Sequence, residues 1–128
     1  MSFSATIEQK IVTAGRTVLA SNSLSGGRLQ SLSESIADSE TDKLVNFAVD
    51  VSQITALLIK SDQALTIETN DGSSPDDTLV LVADVPYVWH TNSYDTCKFT
   101  TDITKLYVTN ASGAAAQLEI ECLSDPTP

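Results

Sequence analysis

The chain has 128 residues, with seven Lys and Arg against 17 Asp and Glu, a formal net charge of -10 and a pI near 4.2. That length holds one domain with its own core. A composition of 41% hydrophobic and 19% charged residues argues against wholesale disorder, and no apolar run approaches the roughly 18 residues of a membrane-spanning helix. The cations Lys10, Arg16, Arg28, Lys43, Lys60, Lys98 and Lys105 are scattered singly, so the basic stripe that nucleic acid or an anionic membrane surface requires is missing.

Met1 to Lys10 has no apolar stretch of the kind a secretory signal carries, and includes Glu8. Ile7, Ile11, Ala14 and Val18 fall at helical spacing, with Thr6 and Gln9 placed as a capping box. The β-branched Ile11, Val12, Thr13, Thr17 and Val18, and the interruption at Gly15, favour instead two short strands around a turn at Ala14-Gly15. From Ser21 to Asp42 the composition shifts to seven serines, Gly26-Gly27 and few large apolar residues. Leu29, Leu32 and Ile36 suggest a short strand or helical turn within a long connection, the region expected to be flexible or ordered by a partner.

From Asp42 the pattern is that of strands. Val45 to Val51 alternates apolar and polar, as a half-buried strand does. Ile54 to Ile59 is nearly continuous, as in a strand buried on both faces. Leu65 to Thr69 alternates after a turn at Ser61-Asp62-Gln63. Asn70 to Asp77 is a loop, with Asp71-Gly72 expected to supply a positive φ and Pro75 excluding a central strand. Thr78 to Val82, Tyr87 to His90, Leu106 to Thr109 and Gln117 to Leu123 complete the set, and Pro126 and Pro128 close the tail. About eight short strands with turn signals every 8–12 residues describe an all-β, single-domain antiparallel β-sandwich or small barrel over residues 1–128. Residues 1–41 form its N-terminal strands and Ser/Gly-rich connection, 42–123 its main strands and 124–128 its tail. Spacing alone leaves jelly-roll and immunoglobulin-like topologies open.

Motifs for catalysis are absent: there is one histidine, His90, and none of the usual nucleophile, phosphate-cradle or metalloprotease signatures. The expectation is no enzyme, no catalytic residues, no cofactor and no metal. His90 follows Trp89, so it points to the opposite face of its strand and reads as a surface residue. Asn70, Asp71, Ser73, Asp76 and Asp77 gather oxygen ligands of the kind calcium takes, but without EF-hand order; they read as Asx turns in a solvated loop. Asn110-Ala111-Ser112 matches a glycosylation acceptor and reads as a turn. Glu119 and Glu121, with Glu68 elsewhere, read as a solvated sheet face. Cys97 and Cys122 are too few for a zinc cluster, and a disulfide between them is disfavoured in a domain of this size. Tyr87, Trp89 and Tyr94 lie within eight residues and form the candidate contact surface, for a subunit, a partner or a stacked sugar; core packing is the competing role for Trp89.

One series of segments is similar to a known kind of protein. Leu57-Leu58-Ile59-Lys60-Ser61-Asp62-Gln63, then Asn70-Asp71-Gly72-Ser73-Ser74-Pro75-Asp76-Asp77-Thr78, Pro86-Tyr87-Val88-Trp89 and Leu106-Tyr107-Val108-Thr109-Asn110-Ala111-Ser112-Gly113 follow one another. From about Ile36 to Leu123 the chain resembles the capsid cement, or decoration, proteins of tailed bacteriophages. That resemblance implies a β jelly roll and a location on the outer capsid surface of the virion. It implies a homo-oligomer, trimer or dimer, whose partner is the major capsid protein, and a role in stabilising the expanded shell. A tail or baseplate structural protein and a carbohydrate-binding β-sandwich are the alternatives.

Overall fold

The computed structural model describes residues 2–126, so Thr127 and Pro128 of the expected tail lie outside the described residues. The strands are β1 (Phe3–Thr13), β2 (Arg16–Gly26), β3 (Arg28–Ile36), β4 (Lys43–Val45), β5 (Ile54–Ser61), β6 (Leu65–Thr69), β7 (Thr78–Leu81), β8 (Tyr87–His90), β9 (Leu106–Thr109) and β10 (Ala116–Ser124). Strands β3 to β10 make two four-stranded sheets, ordered β3-β10-β5-β8 and β4-β9-β6-β7. Every pairing is antiparallel. The chain changes sheet at each connection except the β6–β7 hairpin, which is the winding of an eight-stranded jelly roll. The expected all-β sandwich is therefore what the chain forms.

Period-two alternation builds the core. In Leu65–Thr69 the side chains of Leu65 and Ile67 turn inward while Thr66 and Glu68 stay half-exposed. In β10, Leu118, Ile120 and Cys122 are fully buried and Glu119 and Glu121 face out. Ile36, Leu57 and Ile59 join them from the first sheet; Val45, Ile67, Leu106 and Val108 meet them from the second. The continuous run in β5 is covered on its outer face only at Ala56, which packs with Leu123 and Leu24; Leu57 and Ile59 point into the core, while Leu58 stays half-buried and Lys60 exposed.

Four local expectations are corrected. The N-terminal strands are not short but eleven residues each, paired from Phe3↔Gly26 to Thr13↔Arg16 in a separate two-stranded ribbon. Ser21 to Asp42 is not a flexible connection, because most of it is the end of β2 and the whole of β3, which pairs with β10 over nine residues. Its serines are the outward half of an alternating strand: Ser31 Oγ donates to Glu121 Oε2 at 2.6 Å, and Gln117 Nε2 donates to Ser33 Oγ at 2.6 Å. Val45 to Val51 is not one strand. After β4, Val49 makes an isolated bridge to Ile103, and Asp50 caps a 3-10 turn by accepting from Ser52 N and Oγ at 2.9 and 2.6 Å. In the 70–77 loop the positive φ falls on Asn70 (φ 70) rather than on Gly72.

The ribbon of β1 and β2 is an arm. Its root lies across the outer face of the first sheet, where Phe3, Ala5, Ile7 and Leu24 cover Ala56 and Leu123. Gly26 fixes that root: a Cβ there would stand 2.5 Å from the carbonyl oxygen of Ser124, closer than real contacts allow. Beyond the root, every residue from Glu8 to Ser21 is exposed. Eleven extended residues span about 36 Å at roughly 3.3 Å per residue, so the end of the arm, from Lys10 to Leu19, projects beyond the contacts at its root.

Candidate interaction surface

Strand β8 places Tyr87 and Trp89 on one face, inward, where both pack half-buried against the core. The edge of the Tyr87 ring meets Phe99 with centroids 6.0 Å apart at 85°. Its hydroxyl accepts from Lys98 N at 2.8 Å and points toward Cys97 Sγ at 3.9 Å. Burial pushes the Tyr87 phenol up to about 12. The Trp89 indole N–H donates to the Asp95 carbonyl at 2.8 Å. Tyr94, on the loop that follows, is wholly exposed. All three line one cleft of about 470 Å³, closed on its far side by Gln9, Ala20 and Asn22 of the arm. The polar tips of Tyr87 and Trp89 are engaged by their own loop, which leaves Tyr94 as the free aromatic of the three.

His90 corrects the expectation of a surface residue. It does face away from Trp89, but it is only 4% exposed, under the same cleft, and its Nδ1 accepts from Asn92 N at 3.2 Å. The arm and the 91–96 loop turn an outward histidine into a buried one.

The other candidate clusters are held by local bonds. Asn70 donates to Asp76 Oδ2 at 2.7 Å and to the Asp102 carbonyl at 2.9 Å, and accepts from Thr104 N at 2.8 Å. Asp71 accepts from Ser73 N at 2.8 Å, and Asp77 from Thr100 N at 2.9 Å. These are the Asx turns that stitch the loop to the β8–β9 connection, with their oxygens turned to backbone amides. The amides of Ser73 and Ser74 hold the Asp71 carboxyl below the ordinary value of 3.8. Asn110 is a buried latch: its side-chain amide donates to the carbonyls of Ile36, Ala37 and Ala114 at 3.2, 3.2 and 2.8 Å, and its oxygen accepts from Ser112 N and Oγ. Glu119 and Glu121 lie on the outer face of β10, where Glu119 sits 3.8 Å from Lys60 Nζ. Glu68 is on the other sheet; partial burial, then the charge of Asp42, raises its carboxyl above 4.5. Cys97 and Cys122 are free thiols, and burial pushes Cys122 up to about 11.

Two apolar surfaces escaped the reading of the sequence. At the end of the arm, Ile11, Val12, Val18 and Leu19 are 68%, 63%, 52% and 54% exposed. On the last strand of the second sheet and the turn after it, Val80, Val82 and Val85 are 67%, 61% and 54% exposed. The available signal was in the first of them: Ile11-Val12 and Val18-Leu19 break the polar alternation expected of a strand with one wet face. Comparison of the chain with protein-family models, with curated proteins and with solved structures finds no match.

Proposed function

We propose that this protein is a structural component of a tailed-phage virion, which binds the outer surface of the capsid and stabilises the expanded shell. The observation that carries this reading is a jelly-roll body from which a ribbon of two eleven-residue strands projects with its apolar end uncovered. Such a shape suits a part that works through extended contacts with neighbours. The resemblance of residues from about Ile36 to Leu123 to capsid decoration proteins points the same way, and a net charge of -10 suits the outside of a shell filled with DNA. A protein that binds only the expanded lattice stabilises it by mass action, and repeated copies multiply the effect. Co-sedimentation with expanded capsids that lack the protein, beside unexpanded procapsids, tests this. Saturable binding to expanded shells alone is the expected result; binding to neither overturns the capsid assignment.

A second reading rests on the cleft between β8 and the arm. Tyr94 is exposed there beside Gln9, Asn22 and Asn92, and an aromatic face with side-chain amides around it can hold a sugar ring. A glycan array without a hit removes this reading.

A further inference from the structure

We propose that the outer half of the arm docks on the β7 edge of a second copy of this chain. Such docking is independent of the capsid assignment. A two-stranded ribbon alone is marginally stable in water, and this one leaves both strand edges open and its end apolar on both faces: Ile11 pairs with Val18 on one, while Val12 and Leu19 lie on the other. Strand β7 offers the matching surface. Among the described residues it is paired on one side only, to β6, and it presents Val80, with Val82 and Val85 next to it.

Charge selects the second copy as the occupant. The arm carries Lys10 and Arg16 against the single acid Glu8, so sixteen of the seventeen acids belong to the rest of the chain. Between Ser61 and Cys97 there are seven acids and no Lys or Arg, and Asp76, Asp77 and Asp84 flank β7 directly. An apolar end with two cations therefore meets an apolar edge framed by carboxylates. Arm against arm would bring Lys10 and Arg16 onto their own copies, and edge against edge would oppose the carboxylates. Topology brings the two surfaces to one flank. The arm crosses β5 and reaches β8 and the 91–96 loop, and β8 is joined to β7 by the short segment 82–86. Two copies that face each other on this flank can each give an arm and receive one, and the same contact passed on around an axis closes a ring.

The test uses the full chain in sedimentation equilibrium. Wild type is expected to associate, more weakly at high salt, because exposed charges are screened. An arm variant (Ile11→Asp with Val18→Asp) and an edge variant (Val80→Lys with Val82→Lys) are each expected to weaken self-association at least tenfold. Unchanged melting temperatures and Trp89 fluorescence in the dilute monomer establish that both fold. Mixed one to one, they are expected to form a heterodimer, because the intact arm of one meets the intact edge of the other. A monomeric wild type, an edge variant that still self-associates, or a mixture that stays monomeric would each overturn the proposal.

Discussion

The arm and the body use the same strand-forming residues to opposite ends. In the body, Leu118, Ile120 and Cys122 alternate with Glu119 and polar neighbours, and a second sheet across the sandwich takes the apolar face. In the arm, Ile11, Val12 and Val18 are β-branched and, with Leu19, as apolar as any core position, yet among the described residues nothing lies across from them in the monomer. The contrast separates two properties often read together. Side-chain shape decides that a segment extends, and the opposing layer decides whether it is buried.

Substitutions sharpen that contrast. Ile120→Ala, in the strand that joins the two halves of the first sheet, is expected to cost about 2–5 kcal/mol in denaturant unfolding, because it removes packing from a fully buried site. Asn110→Ala is expected to cost about 1–3 kcal/mol by the same measurement, since three carbonyls of the β3 end and the β9–β10 turn lose their donor. Ile11→Thr with Val18→Thr, although each removes an apolar side chain from a strand, is expected to change unfolding of the dilute monomer by less than about 0.5 kcal/mol. A core-sized loss there would mean that the arm end packs on its own body. The smallest effect is electrostatic. The Asp50 carboxyl, held low by hydrogen bonds from Ser52, stabilises the fold above its ordinary value of 3.8, and that contribution is lost as pH falls through the lowered value. The melting deficit of Asp50→Ala relative to wild type is therefore expected at neutral pH and to shrink on acidification below that value.

Where one face of a strand is buried by its neighbour sheet, the pattern was legible. Leu65–Thr69, Thr78–Leu81, Tyr87–His90, Leu106–Thr109 and Ala116–Ser124 lie within two residues of where alternation puts them. The Ala14-Gly15 turn was legible for a different reason, β-branching that disfavours a helix. Strand β3 was not, because an edge strand with small polar residues outward has the composition of a linker; its partner β10 lies some eighty residues away and leaves no local trace. Val45 to Val51 misled in the other direction, since Phe47 and Val49 enter the core from a loop rather than from a ladder. Of the candidate surface, the nearness of Tyr87, Trp89 and Tyr94 follows from their positions in the chain, but the cleft that unites them needs the arm. The burial of His90 and the exposure of Val80 depend on which distant segment comes to rest where, and neighbouring residues do not encode that.

The position of β10 between β3 and β5 carries a consequence for how the molecule is made. Both neighbours are synthesised long before it, and neither pairs with the other. Until Ser124 has left the ribosome, β3 has no partner and β5 has only β8, so the first sheet exists as fragments with bare edges. Completion of the fold waits on contacts between distant parts of the chain, which form slowly and leave sticky intermediates exposed meanwhile. The formal net charge of -10, carried mainly by the segments between the strands, keeps growing chains apart from one another during that interval.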